Sequence, residues 1–351
     1  MPLDKNYGRN TLAVRDGIAP VVVDLCSGMG GLSLAAQYLG MRVVAAVDTN
    51  SNALRTYKKN FPDTVIIEKT IMGSCAIKAC MDTLQLYNKT NTPMVVVSGP
   101  PCQGFSVAGS HNHSDKRNKV LLAVGRAIVF FKPQIALIEN VAALLDNEHS
   151  ERVRKFKKNL INAGYYVLTL SLNAKDYGVP QKRKRAFFMV SKAILDEKKI
   201  KKRLDELKTD EISVREAFKG LPSANARPDK YNDEKDKKIT PNHYAMKHSL
   251  EVRQKIAAIQ PGAGPMSYRK LHPDRPANTL FSGHRAPPAH FRIPRSITVR
   301  EAARLQGFPD SFRIMGSFSK QMEQVTNAVP PPLAKVVLRV LAEQNSLFIN
   351  S

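Results

Sequence analysis

No apolar run of about 18 residues, the length needed to cross a bilayer, occurs in this chain of 351 residues. Its opening, Met1-Pro2-Leu3-Asp4-Lys5, has no apolar core of the signal-peptide kind, so a cytoplasmic protein with no membrane association is expected. Cysteine is scarce. The four present, Cys26, Cys75, Cys80 and Cys102, are too few for a disulfide scaffold in a chain this long and show no metal-ligand spacing. Free thiols and no metal are expected. Acidic residues are also in short supply, with 30 Asp and Glu against 54 Lys and Arg and a net charge of +24. An imbalance of that size on a globular chain favours a polyanionic partner, nucleic acid first, over an unpartnered basic surface.

What is present suffices for two domains, because 43% hydrophobic residues can fill a sizeable core and the length exceeds one typical domain. No internal repeat is visible. Ala19 to Leu25 reads as a strand, Leu32 to Leu39 as a helix, Val43 to Val47 as a second strand and Asn52 to Asn60 as a second helix. Met94-Val95-Val96-Val97, a helix over Leu121 to Phe131 and the strand Ile135 to Ile138 continue the alternation, which predicts a mostly parallel sheet. After Phe188-Met189-Val190 a lysine-rich stretch from Lys192 to Lys208 begins, followed by a Pro-, Asn- and His-rich region to Ile297, where a second domain is placed. The cluster Lys198-Lys199-Ile200-Lys201-Lys202-Arg203 reads as a solvated helix face in preference to a binding site.

Four segments carry chemistry. In Gly99-Pro100-Pro101-Cys102-Gln103-Gly104-Phe105-Ser106, two prolines stop the preceding strand and set Cys102 at its carboxyl end, where open α/β sheets hold their ligands. A thiolate there would be a strong nucleophile; a buried structural cysteine is the alternative. Asp24-Leu25-Cys26-Ser27-Gly28-Met29-Gly30-Gly31 joins the first strand to the first helix, so its glycines let a nucleoside-like ligand approach the helix N-terminus. Asp48, ending the second strand, suits ribose hydroxyls. Ser33 stands where a nicotinamide dinucleotide loop wants glycine, which favours S-adenosylmethionine; a plain tight turn is the alternative. Glu139, at the end of an apolar strand, could donate to a ring nitrogen, while its neighbour Asn140 could simply cap a helix. In Gln181-Lys182-Arg183-Lys184-Arg185, strand alternation points Arg183 and Arg185 the same way, toward a phosphate, a base carbonyl or a carboxylate, unless they merely decorate an edge strand.

In this order, and with Thr298-Val299-Arg300-Glu301-Ala302-Ala303-Arg304-Leu305-Gln306-Gly307-Phe308-Pro309-Asp310 and Asn327-Ala328-Val329-Pro330-Pro331 near the carboxyl end, the segments resemble the bacterial-type DNA (cytosine-5)-methyltransferase family over nearly the whole chain. The resemblance implies a class I S-adenosylmethionine-dependent methyltransferase fold, a Rossmann-like α/β sheet domain with a smaller inserted target-recognition domain. It implies Cys102 as nucleophile, Glu139 as the contact to ring nitrogen 3, and Arg183 and Arg185 as supports of a cytosine flipped out of duplex DNA. For the cofactor S-adenosylmethionine it implies Asp24, Cys26, Gly28, Gly30, Gly31, Asp48, Thr70, Pro100, Val120, Asn327 and Val329. Three of these neighbourhoods depart from the family. Cys26 replaces the usual adenine-packing Phe, Thr326 the usual Gly before Asn327, and Thr70 (or Ser74, by another alignment) the usual Asp. Drift within an active enzyme is one reading, weakened cofactor binding the other.

The resemblance also implies residues 1–190 and 322–351 as the catalytic and cofactor-binding domain, 191–297 as the recognition domain and 298–321 as a segment bracing the two. Contacts to double-stranded DNA are expected from Gln103, Ser106, Arg269, His284, Arg285, Arg292 and Arg295, since arginine can pair bidentately with guanine or bind phosphate. Gly262, Gly264 and Gly283 would let loops approach DNA or make turns. A monomer is expected, with a cognate restriction endonuclease as its counterpart in function. An RNA cytosine-5 methyltransferase and a non-catalytic DNA-binding regulator are the rival readings.

Overall fold

Short apolar strands and amphipathic helices alternate through the first half of the chain, as the sequence pattern predicts. The computed structural model describes residues 18–87, 92–101, 119–146, 150–226, 240–265, 268–281 and 287–347. In chain order the elements are β1 (Val21–Leu25), α1 (Gly31–Tyr38), β2 (Arg42–Asp48), α2 (Ser51–Asn60), β3 (Val65–Glu68), α3 (Ser74–Gln85), β4 (Met94–Ser98), α4 (Val120–Phe131), β5 (Ile135–Val141), α5 (Ser150–Asn162) and β6 (Tyr166–Asn173). A two-residue β7 (Gln181–Lys182), β8 (Lys184–Ser191) and α6 (Glu197–Glu206) follow. Among the described residues, seven strands form one sheet in the order β3-β2-β1-β4-β5-β8-β6. The pairings from β3 to β5 are parallel, and β8 runs antiparallel to both β5 and β6.

That order has a physical consequence for the site. The chain winds outward from β1 to β3, then returns to β4 on the other side of β1, so β1 and β4 flank a topological switch point, the usual ligand crevice of such sheets. Both strands are apolar runs because helices cover both faces, and Val22, Val23, Val95, Val96 and Val97 are fully buried. Antiparallel β8 brings its first residues beside the carboxyl end of β5, pairing Arg185 with Val141 and Phe187 with Glu139.

The chain divides into two compact units. Among the described residues the sheet unit comprises 18–173, Lys184–Lys208 and the chain from Pro331, where α11 (Pro331–Gln344) packs on α1. The lysine-rich stretch expected at the start of the recognition domain belongs here instead. Its helix α6 buries Ile200 and Leu204, and Arg203 reaches Glu343 of α11 at 3.1 Å, so the lysines face solvent while the apolar stripe docks.

The second unit comprises Ala174–Arg183 and Thr209–Pro330. Its elements are α7 (Val214–Phe218), β9 (Asn225–Ala226), β10 (Tyr244–Ala245), α8 (Leu250–Ala258), β11 (Ala277–Asn278), α9 (Val299–Leu305) and α10 (Phe318–Asn327), with β7 paired to β11 and β9 to β10. With so little regular structure, buried arginines do much of the organising. Arg300 is fully buried and donates to the carbonyls of Pro241 at 2.8 Å and Pro309 at 2.7 Å, and to that of Phe312. Arg304 forks onto Asp310 and also reaches the carbonyls of Ala217 and Lys219, both at 2.9 Å. The segment expected to brace the two domains thus ties together distant parts of this unit. Residues 322–330, expected with the sheet, cluster here because α10 packs on α9.

Candidate active site

At the switch point Ser98 donates to the carbonyl of Leu25 at 2.6 Å, fastening the end of β4 to the end of β1. The turn after β1 is held from β2, since Ser27 N donates to Val47 O at 3.0 Å and Gly28 N to Asp48 Oδ2 at 2.8 Å. Asp48 Oδ1 accepts from the amides of Thr49 at 2.7 Å and Asn50 at 2.8 Å. A carboxylate offers about four lone-pair sites, and among the described residues three of those of Asp48 are filled. Gly30 is left-handed at φ +99, and a Cβ there would lie 2.4 Å from Phe61 Cε2. Gly28 is left-handed at φ +54 with nothing within 4 Å of a built Cβ. No side chain caps α1. Two left-handed glycines, an uncapped helix N-terminus and a carboxylate at the flank of the turn fit the sugar and the amino-acid part of S-adenosylmethionine.

Beneath the turn, Asp24 is fully buried and accepts from Ser33 Oγ at 2.6 Å, while that hydroxyl lies 2.5 Å from Tyr57 OH. Asp24 Oδ1 and Ser27 Oγ are buried without a hydrogen-bond partner among the described residues. Desolvation, reinforced by the charge of Asp48, raises the Asp24 pKa to about 8, so the group is mostly neutral at pH 7. Ser33, which argued against a dinucleotide site, is needed as the donor to Asp24. Cys26 sits at φ +58, half-buried, and burial together with the nearby carboxylates holds its thiol well above the usual range.

Of the remaining cofactor candidates in this unit, Pro100 and Val120 are buried, whereas Thr70 is exposed and its hydroxyl accepts from Met72 N at 3.3 Å. Cys102, Gln103 and Ser106 lie outside the described residues. The turn leading to Cys102 is nevertheless positioned. Asn140 Nδ2 donates to Pro100 O at 3.2 Å, and Asn140 Oδ1 accepts from Val141 N at 2.9 Å. Asn140 is therefore a tie between β5 and this turn, and no helix cap; the sequence reading overlooked that role, which only the adjacency of β4 and β5 reveals. Next to it, Glu139 is buried and its Oε1 lies 2.9 Å from Arg185 Nε. The diagonal cross-strand geometry of β5 and β8 puts a long side chain within reach in this way, and the guanidinium offsets the cost of burying the carboxylate.

Arg183 does not follow Arg185. It falls in the break between β7 and β8, is buried in the second unit, and donates from Nη2 to the carbonyls of Thr326 at 2.9 Å and Ala328 at 3.3 Å. It fixes the end of α10, where Asn327 is exposed and Val329 buried. Gln181, which the sequence reading left without a role, donates to Gln306 Oε1 at 2.6 Å and to Leu305 O at 3.1 Å, and accepts from Leu280 N at 3.0 Å. Gln306 in turn donates to Ala328 O. The Thr326 hydroxyl turns back onto Met322 O at 2.9 Å, so the side chain in the place of glycine is satisfied within its own helix.

Among the DNA candidates, Arg269 and Arg292 are exposed, and His284 and Arg285, with Gly283, lie outside the described residues. Arg295 departs from the expected DNA contact. It is buried and forks onto Glu301, with both bonds at 2.7 Å, so its guanidinium is committed inside the unit. Gly262 and Gly264 make left-handed turns at φ +84 and +99.

The family model for C-5 cytosine-specific DNA methylase matches residues 21–343. The chain is 30% identical over 341 residues to Type II methyltransferase M1.HphI of Haemophilus parahaemolyticus, covering 92% of this chain and 87% of that protein. It is 32% identical over 348 residues to Type II methyltransferase M1.BsuMI of Bacillus subtilis, covering 89% and 78%. A solved E. coli structure described as a DNA modification methyltransferase encoded within a prophage superposes with TM-score 0.74 at 27% identity, covering 93% of this chain and 99% of that one. The Dnmt2 methyltransferase of S. pombe, at 17% identity and TM-score 0.65, shares the fold, with 93% of this chain and 98% of that one covered.

Proposed function

Because this chain belongs to the C-5 cytosine-specific DNA methylase family and so methylates carbon 5 of cytosine in DNA at the expense of S-adenosylmethionine, we propose that Cys102 is its nucleophile and that Glu139, held by Arg185, is its partner at ring nitrogen 3. When bound, S-adenosylmethionine supplies an electrophilic methyl group to carbon 5, and the Gly28–Gly31 turn and Asp48 would hold it. Everything else falls to the protein. Carbon 5 of an aromatic cytosine is a poor nucleophile, so the Cys102 thiolate adds to carbon 6, and the electron pair displaced from the ring double bond makes carbon 5 enamine-like. Glu139 donates a hydrogen bond or its proton at nitrogen 3, where negative charge develops, and Arg185 fixes its direction. After methylation the carbon 5 proton is lost to a base, and the bond from sulfur to carbon 6 breaks with return of the thiolate.

The observation that carries this reading is the buried Glu139–Arg185 pair beside Asn140, whose side chain grips the turn entering Cys102. A duplex hides the reacting face of cytosine, so the base has to leave the stack at a cost of a few kcal/mol, and the +24 charge supports the phosphate contacts that offset it. The sheet unit is assigned the chemistry and the second unit target recognition on double-stranded DNA, with Arg269 and Arg292 as contacts. A cytoplasmic monomer acting opposite a restriction endonuclease completes the reading; among the described residues no helix is long and apolar enough to cross a membrane.

The test is bisulfite sequencing of DNA from a methylation-free bacterial host expressing the chain or Cys102→Ser. Protection of cytosines in one short motif, lost in the variant, is expected. Protection that survives in Cys102→Ser would remove Cys102 as nucleophile.

A further inference from the structure

The second unit contains a cavity of about 300 Å³ lined by Lys182, Arg269, Lys270, His272, Arg275 and Phe281 together with an apolar floor that includes Leu271, Pro276 and Leu280. That volume is at the small end of the range for ligand sites, about 300–1,000 Å³, and suits one nucleotide-sized group. The electrostatics are of one sign, since no carboxylate is among its described lining residues. Lys182, Arg269 and Arg275 are exposed at its rim. Lys270 is buried, its Nζ donating to Ile259 O at 2.9 Å at the end of α8, so its charge adds to the field from behind the wall. Phe281 leaves 48% of its surface exposed at the edge of the cavity. The walls are built. Thr279 Oγ1 donates to Lys182 O at 2.6 Å, Leu280 N is held by Gln181, and Gly262 approaches so closely that a Cβ would lie 3.3 Å from His272 Cδ2.

We propose that this cavity is a second nucleotide site, distinct from the one for the target cytosine, that takes a single unstacked nucleotide of the DNA substrate. This rests on the DNA methyltransferase reading above. A phosphate alone would be met by a convex basic surface and would leave the apolar floor unused, whereas a nucleotide presents an anion and an aromatic face together. The rim cations meet the phosphate, Phe281 and the floor meet the base, and the Asn278 side-chain amide, which offers both donor and acceptor, meets the base edge. Removing a cytosine from a duplex leaves its partner and neighbours short of stacking, which lowers the cost of unstacking one of them.

The experiment places 2-aminopurine at each position of a duplex containing the methylation site, with S-adenosylhomocysteine present, and compares the wild type with Phe281→Ala and Arg275→Ala. Fluorescence should rise at the target and at one further position. Phe281→Ala should change the second signal and leave the first, and Arg275→Ala should raise KM for DNA roughly tenfold with kcat within about threefold. A single responding position, or a second signal indifferent to Phe281→Ala, would overturn the proposal. So would saturable binding of free nucleoside monophosphates that Phe281→Ala abolishes while the DNA signals persist, which would assign the cavity to a free nucleotide. A wild-type protein that methylates no DNA would instead fail the functional reading itself.

Discussion

Asn140 donates its side-chain amide to the carbonyl of Pro100, two residues before Cys102, so the end of β5 holds the turn that follows β4. Asn140→Asp removes the donor while keeping the shape. We expect kcat to fall by about 10- to 100-fold with KM for DNA changed little, because small misplacements of a reacting group cost on that order. Single-turnover methyl transfer measures it; an unchanged kcat would leave Asn140 with a purely architectural part.

The Glu139–Arg185 pair makes a different prediction. Arg185→Ala leaves a buried carboxylate without its cation, so a loss of kcat of about 10²-fold or more is expected. Arg185→Lys should recover only part, since one ammonium cannot match a guanidinium that meets Glu139 through Nε while Nη1 holds the carbonyl of Lys184. The diagnostic readout is the split between kinetic parameters, since kcat should fall in both variants while KM for DNA stays within about threefold.

For Gly30 the expected effect is on both stability and donor binding. A methyl group at Gly30 would meet the Phe61 ring 2.4 Å away and sit on a left-handed backbone. Gly30→Ala should cost about 1–3 kcal/mol of stability by urea unfolding, and titration calorimetry should show weaker binding of S-adenosylhomocysteine. The double variant Gly30→Ala/Phe61→Leu, which opens room under the turn, should recover part of the stability and identify the clash as the cause.

Asp24 links stability to pH with a definite sign. Its pKa is raised by burial from 3.8 to about 8, so the folded protein holds a proton that the unfolded chain releases. The stabilising contribution is complete below about pH 4 and is lost as pH rises through about 8, with a slope of up to about 1.4 kcal/mol per pH unit between. The urea midpoint of Asp24→Asn should fall less steeply between pH 5 and 8 than that of the wild type. Parallel curves would show that Asp24 does not titrate in this range.

Much of the fold was legible because its signals are local. The apolar runs of β1, β4 and β5 and the glycine turn after β1 sit where strand length and backbone freedom put them, and Asp48 follows as the residue ending β2. Long-range pairing was not legible. Nothing in Gln181 to Arg185 announces that the strand breaks at Arg183, so alternation assigned Arg183 and Arg185 to one face although they serve different partners. Arg295 shows the same limit, because an arginine bound for DNA and one bound for Glu301 six residues on read alike until burial is known. The lysines of α6 likewise hid the stripe of Ile200 and Leu204 that docks the helix.

The glycine turn is shaped wholly from within the protein, by Val47 and Asp48 at its flank and by Phe61 under Gly30. A turn moulded by its own scaffold has little order left to gain when the donor arrives. Capture of the donor should therefore approach a simple one-step association with a small entropic penalty, and the slow, substrate-dependent rearrangements of a catalytic cycle should arise on the DNA side, where a base has to be withdrawn from its stack.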